Sequence, residues 1–158
     1  MAGTHGIGII GSGGMGTHLA SMCLGVPGAK VLAAYDPVEE NVKSLASKLK
    51  CDNYTRIDDL LDRPDIEAVI VATPNHTHCE YTVAALKAGK HVFCEKPMAL
   101  SVADCDRMIA ACRAAGVRLM VGHSTRLHPT ARKLREITSR GDLGDPVYGC
   151  ATYSFSGF

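Results

Sequence analysis

Gly6-Ile-Gly-Ile-Ile-Gly11-Ser-Gly-Gly-Met-Gly16 decides the fold of this 158-residue chain. Its first half is an apolar run of strand length. Its second half is a Gly-x-Gly-x-x-Gly turn. A helix-like segment follows, and then Val31-Leu-Ala-Ala-Tyr35, which ends in Asp36, twenty residues after the last glycine. Glycines alone say little, but strand, turn, helix, strand and acid in this order carry a mechanism. Gly11 permits a tight turn out of the strand, Gly13 lets the backbone approach a pyrophosphate, and Gly16 lets the helix sit close to the sheet. Ser12, Gly14 and Met15 complete the turn, whose unpaired N–H groups and dipole face an anion. Asp36 would accept hydrogen bonds from a ribose and repel a 2′-phosphate. Pro37 and Val38 bring no cation to offset that repulsion, and the first is Lys43. The expected cofactor is therefore NAD, with NADP disfavoured.

Alternation continues along the chain. Residues 38–49 place Val42, Leu45, Ala46 and Leu49 at helical spacing, a short strand is expected near Asn53 and Tyr54, and Arg56–Asp62 reads as a short helix halted by Pro64. Ala68-Val-Ile-Val-Ala72 is apolar without alternation, as in a parallel strand buried on both faces. A turn at Thr73-Pro74-Asn75-His76 leads into a helix over Thr77–Lys87. His91–Cys94 is a fifth strand, delivering Glu95-Lys96-Pro97 at its end. Ser101-Val-Ala-Asp104 resembles a capping box, with Val102, Cys105, Met108, Ile109 and Cys112 as the expected buried stripe behind it. Val117–Val121 is a sixth strand, leading to Gly122-His-Ser-Thr-Arg126. Pro129–Arg140 reads as a cationic helix with Ala131, Leu134 and Ile137 on one side, and Val147–Phe155 as a strand.

Strands alternating with helices require a parallel sheet with right-handed crossovers. The predicted fold is thus α/β, a Rossmann doubly wound parallel sheet in the order 3-2-1-4-5-6. Residues 1–126 are assigned to the nucleotide-binding domain, and 127–158 to a linking helix and the first strand of a second domain. A lone final strand has nothing left to pair with, so the sequence is expected to be the leading part of a longer protein, cut before a second sheet domain. In such sheets ligands bind outside the carboxyl ends of the strands. The glycine turn, Asp36, Thr73–His76, Glu95–Pro97 and His123–Arg126 all follow strands and are expected at that edge.

Composition narrows the function. A net charge of +1 without a long basic run argues against nucleic acid or an anionic membrane as partner. No apolar stretch approaches the roughly 20 residues that span a bilayer. The seven cysteines are an odd number with no Cys-x-x-Cys pair, which suits a reduced, cytoplasmic setting. His76, His78 and Cys79 invite a zinc reading, but no further ligands of matching spacing stand out, and no metal is expected.

With these residues in hand, the chain resembles the amino-terminal half of the glucose-fructose oxidoreductase, inositol dehydrogenase and rhizopine-catabolism (Gfo/Idh/MocA) family. The resemblance runs nearly end to end. It rests on the opening glycine stretch, Asp36-Pro37, Ala72-Thr-Pro-Asn75-His-Thr-His78, Ala88-Gly-Lys-His-Val-Phe-Cys-Glu95-Lys96-Pro97, Arg126-Leu-His-Pro129 and Gly141-Asp-Leu-Gly144. It implies reversible hydride transfer between a nicotinamide cofactor and a sugar, polyol or related hydroxyl-bearing carbon. It further implies that Thr73, Pro74 and Asn75 line the cofactor, that Glu95 and Lys96 sit near the nicotinamide, and that Arg126 reaches the same region. Lys96 would hydrogen-bond the reacting oxygen, as the one catalytic residue expected here. His78 is placed beside the cofactor, packing or hydrogen-bonding near its helix start. Family members continue into a sheet domain that completes the acid/base machinery, closes over substrate and commonly forms the oligomer interface. Turnover by this chain alone is therefore not expected.

Blander readings stand beside these. Lys96 can be a solvated strand-end cation with Glu95 as its salt-bridge partner, Asn75 a turn residue, Arg126 the partner of a carboxylate, and His123 and His128 loop histidines. Cys94 reads as a buried inert thiol. At the level of function, the alternatives are a non-catalytic NAD-binding module or sensor, and an interaction domain that keeps the fold without the ligand.

Overall fold

The computed structural model describes residues 3–152. By chain contacts it divides into two compact units that meet between Gly122 and His123.

The first unit is one six-stranded sheet. Its strands are β1 (His5–Ile10), β2 (Ala29–Tyr35), β3 (Asp52–Tyr54), β4 (Ala68–Val71), β5 (His91–Cys94) and β6 (Leu119–Val121). All pairs are parallel, and the order is β3-β2-β1-β4-β5-β6, as expected from the alternation. The helices are α1 (Gly14–Cys23), α2 (Glu39–Leu49), α3 (Ile57–Leu61), α4 (His78–Lys87) and α5 (Val102–Ala115).

Side-chain parity sorts these helices into two layers. Ile9, Val31 and Ala34 meet Ala20 of α1 and Val42 and Leu45 of α2 on one face. On the other, Ile10, Ala33, Tyr35, Val69, Val71, Val92 and Cys94 meet Leu60 and Leu61 of α3, Ala85 and Leu86 of α4, and Met108 of α5. Val31 and Ala34 share a face although three residues apart. The β1–β2 register slips there, pairing Ile7 with Val31 but Gly8 with Ala33, so Leu32 is the extra residue of a bulge. Ile70 packs on the α1/α2 side while its neighbours face the other, as a strand covered on both faces must.

Ser101 caps α5 as its sequence suggests: its hydroxyl oxygen accepts the Asp104 N–H at 3.1 Å. The reciprocal bond differs from the expected box. An aspartate is one methylene short of a glutamate, and its carboxylate accepts a hydrogen bond from the Ser101 hydroxyl at 2.8 Å rather than from a backbone N–H. The expected stripe of α5 is only partly buried. Met108 is fully covered, Cys105 and Cys112 are half-buried, and Val102 and Ile109 are exposed. β6 is the sheet edge and only three residues long, so it covers one side of the helix and leaves Ile109 beside a groove with Met98, Leu119 and Val121.

The second unit holds a 3₁₀ turn, Ser124–Leu127, and α6 (Pro129–Ser139). His128 is more than a loop histidine. Its Nδ1 accepts the Thr130 N–H at 3.4 Å, capping α6 with Pro129 in the first turn. Leu134 is exposed, and Ala131 and Ile137 are half-buried. The strand expected over 147–155 is corrected: residues 147–152 carry no ladder, and Val147 and Tyr148 are exposed. A strand exists by its partner's hydrogen bonds, and no described residue offers them. Residues 153–158 of that expectation lie outside the described residues.

Candidate functional site

The glycine turn is tied to the sheet by backbone and side-chain bonds. The Gly11 N–H donates to the Tyr35 carbonyl at 2.9 Å, and the Ala72 N–H to the Ile10 carbonyl at 2.9 Å, which draws the ends of β1, β2 and β4 together. Gly11 adopts φ +96°, and a Cβ there would lie 2.8 Å from the Ala72 carbonyl oxygen. The Ser12 N–H donates to Asp36 Oδ2 at 2.8 Å, locking the turn to the acid.

The glycines of the turn serve different ends. A Cβ on Gly16 would collide with the Gly11 carbonyl, so the helix start is packed against the turn itself. A Cβ on Gly13 or Gly14 would meet nothing within 4 Å, and Gly13 has an ordinary extended backbone (φ −70°, ψ −169°). Neither packing nor backbone geometry requires glycine at 13. The bare backbone there opens a cradle that a side chain would fill. It sits at the start of α1, which has no side-chain cap and no acidic residue in its first turn. The first N–H groups of a helix have no intrahelical partners, and among the described residues no side chain takes them. These residues fit a dinucleotide pyrophosphate.

Asp36 is 8% exposed. Its Oδ1 accepts the Val38 N–H at 2.9 Å and its Oδ2 the Ser12 N–H. Each oxygen keeps acceptor capacity for a ribose hydroxyl. Lys43, the first cation after Asp36, is paired with Glu39 at 2.6 Å.

Two clefts run along this edge. The larger, about 460 Å³, extends from Gly13, Gly14 and Asp36 past Val38 and Asn41 to Pro74, Thr77 and Tyr81, with no lysine or arginine in its lining. The smaller, about 140 Å³, is lined by Asn75, His78, Glu95 and Lys96. Met15, Ala72 and Thr73 belong to both, so the clefts adjoin. Beneath the larger one the Tyr35 and Tyr81 hydroxyls are 3.0 Å apart, and burial pushes the Tyr35 phenol well above its usual range.

Glu95 is not the salt-bridge partner of Lys96. Its Oε2 instead accepts the Lys96 backbone N–H at 3.0 Å, and among the described residues no carboxylate lies within ion-pair distance of the Lys96 ammonium. The Lys96–Pro97 peptide is cis. His78 is 1% exposed, with both ring nitrogens on carbonyl oxygens, Nε2 on Thr73 at 2.9 Å and Nδ1 on Pro97 at 2.7 Å. Among the described residues no cluster of three or more His, Cys, Asp or Glu side chains is placed to hold a metal. Burial raises the Cys94 thiol to about 11, which keeps it protonated and inert at neutral pH. Arg126 belongs to the second unit, exposed in the turn Ser124–Leu127.

Val38, Asn41, Thr77 and Tyr81 also line the larger cleft, and sequence reading missed them. Their signal was present. Val38 and Asn41 open the helix that follows the strand-end acid, and Thr77 and Tyr81, four residues apart, share a face at the start of α4.

Sheet order, glycine turn and strand-end acid define a dinucleotide-binding α/β domain. Residues 5–123 match the model of the Gfo/Idh/MocA family, described as an oxidoreductase family with an NAD-binding Rossmann fold, and the chain belongs to that family. It is 41% identical over 145 residues to 2,7-anhydro-N-acetylneuraminate hydratase of Mediterraneibacter gnavus, covering 92% of this chain and 38% of that one. It is 37% identical to the myo-inositol 2-dehydrogenase of Thermotoga maritima, covering 89% and 42%. Among solved structures, GenD2 of gentamicin A biosynthesis, crystallised with NAD, superposes with a TM-score of 0.86 at 27% identity, covering 90% and 41%. The chain thus spans about two fifths of the length of the relatives it matches. No helix among the described residues is long and apolar enough to cross a membrane.

Proposed function

We propose that this chain binds NAD in preference to NADP along the two adjoining clefts, as the cofactor-holding part of an enzyme that oxidises or reduces a sugar, polyol or related hydroxyl-bearing carbon. The observation that carries this reading is the open cradle at Gly13 and Gly14. It lies at an uncapped helix start, in one cleft with an acid whose oxygens retain acceptor capacity. In this reading the first N–H groups of α1 hold the pyrophosphate, and Asp36 takes the adenosine ribose hydroxyls. Val38, Asn41 and Tyr81 bound the adenine. A 2′-phosphate would meet Asp36 with no cation in the cleft lining to offset the repulsion.

Thr73, Pro74 and Asn75 carry the cofactor from the larger cleft to the smaller. When bound there, the nicotinamide supplies hydride transfer. Lys96, whose ammonium has no carboxylate within ion-pair distance among the described residues, donates a hydrogen bond to the oxygen of the reacting carbon and holds a proton ready for exchange. Glu95, fixed on the Lys96 backbone, steadies that turn. Both named relatives act on sugar-like or polyol compounds, which supports that substrate class. The rest of the substrate pocket, the acid/base partners of Lys96 and any oligomer interface are assigned to a further domain, so this chain alone shows no turnover. The seven free cysteines support a reducing, cytoplasmic setting.

Calorimetric titration of the chain tests the reading. NADH should bind, and NADPH should bind at least about tenfold more weakly, the discrimination expected of one unpaired repulsion. No binding of either dinucleotide would leave the interaction-domain alternative standing. Substrate-dependent NAD reduction by this chain alone would overturn the division of labour.

A further inference from the structure

Beyond the ends of β4 and β5, two loops face each other across the smaller cleft. The last ladder bond between the strands runs from the Glu95 N–H to the Val71 carbonyl at 2.9 Å. Past it, among the described residues, no hydrogen bond directly joins residues 72–77 to residues 96–99. His78 supplies the link. From the first position of α4 its Nε2 reaches back to the Thr73 carbonyl at 2.9 Å, and its Nδ1 reaches across to the Pro97 carbonyl at 2.7 Å. The ring is anchored, because α4 is packed on β4, β5 and α5 through Ala85 and Leu86. It is also nearly sealed from solvent, at 1% exposure, while still bordering the cleft.

We propose that His78 is a positioning residue: a two-point clasp that sets the spacing between the Thr73–Asn75 loop and the Lys96–Pro97 turn, and so the slot for the nicotinamide end. This rests on the cofactor reading above. Carbonyl oxygens accept and never donate, so each bond the ring makes to them is donated by a ring N–H, whichever nitrogen carries it. Such bonds are short and directional, and a rigid imidazole with two rotatable bonds transmits α4's placement to both loops at little entropic cost. The charged or titratable side chains sharing its cleft are Glu95 and Lys96, and Glu95 is held by its own chain's backbone. Removing the ring leaves the Thr73 and Pro97 carbonyls without this partner and the Lys96 turn untethered. Gly13 and Asp36, in the other cleft, keep their own bonds.

One comparison on the full 158-residue chain decides this. It sets NADH against ADP-ribose, which has the adenosine and pyrophosphate but no nicotinamide, in the unaltered chain, His78→Phe and His78→Gln. In His78→Phe, ADP-ribose should bind within about twofold of the unaltered chain while NADH weakens about tenfold, and His78→Gln should recover part of that loss. Equal loss of both ligands would make His78 a fold residue only, and no loss of NADH would remove it from the site. If the unaltered chain binds neither ligand, the cofactor reading itself fails, and that result is distinct from the others.

Discussion

Gly13 and Gly16 belong to one motif, and the structure predicts different outcomes when each is changed to alanine. At Gly13 the backbone is extended and the space is open, so the native protein meets no clash. Losing a glycine restricts the unfolded chain, a gain of about 0.4–1 kcal/mol. Gly13 is also the N-cap of α1, where alanine is disfavoured by a similar amount, so the two offset and Tm should move by no more than roughly 2 °C. The same methyl group occupies the cradle proposed for the pyrophosphate. Forcing one methyl into a filled contact costs about 1–3 kcal/mol, which weakens NADH by about five- to 150-fold. At Gly16 the new Cβ collides with the Gly11 carbonyl, a backbone atom held by the turn. Helix propensity favours alanine there by about 1 kcal/mol, but it cannot relieve that overlap. Gly16→Ala should therefore lower Tm by several degrees, roughly 2–4 °C for each kcal/mol lost. Scanning fluorimetry gives both Tm values and calorimetry gives both NADH affinities. If Gly13→Ala melts as low as Gly16→Ala, or binds NADH equally well, the assignment of that space to a ligand is wrong.

Asp36→Ala removes a buried acceptor from the Ser12 and Val38 N–H groups, costing about 1–3 kcal/mol by urea unfolding, and it should narrow the NADH preference over NADPH in calorimetry. Ser101→Ala deletes the α5 cap and should cost about 1 kcal/mol by urea unfolding, with NADH affinity unchanged. Alkaline pH should destabilise the fold. Burial raises the Cys23, Cys51, Cys79 and Cys94 thiols and the Tyr35 phenol, so the folded state holds those protons longer than the unfolded one. Their contribution is present below the ordinary thiol value of 9.0 and is lost as pH climbs through the folded values, about 11 for Cys94. Lys90 works the other way. Burial lowers its ammonium, so its contribution grows as pH rises toward 10.5, one group against five. Urea midpoints should fall between about pH 9 and pH 11, and less steeply in Cys94→Ala.

What the sequence revealed follows from where each signal is written. β1, the glycine turn and β2 were legible because their chemistry is local: a run of apolar residues, a backbone needing φ +96° at Gly11, and an acid at a strand end. Strand order followed from handedness, which no side chain has to encode. The 147–152 segment misled because alternation describes a face and not a partner. The exposure of Val102 and Ile109 likewise depends on how far β6 extends, a property of the sheet edge. Within the site, Lys96 and Asn75 were marked by their motif, whereas the role of His78 was not. Its contacts are backbone carbonyls, and a sequence does not show which carbonyls a fold leaves within reach.

A crystal structure of the chain with NADH tests the central claim most directly. The account predicts the ribose hydroxyls on Asp36, the pyrophosphate on the N–H groups that follow Gly13, and the nicotinamide between Asn75 and Lys96. A dinucleotide bound in the reverse direction, or away from the carboxyl ends of β1, β2, β4 and β5, would contradict it.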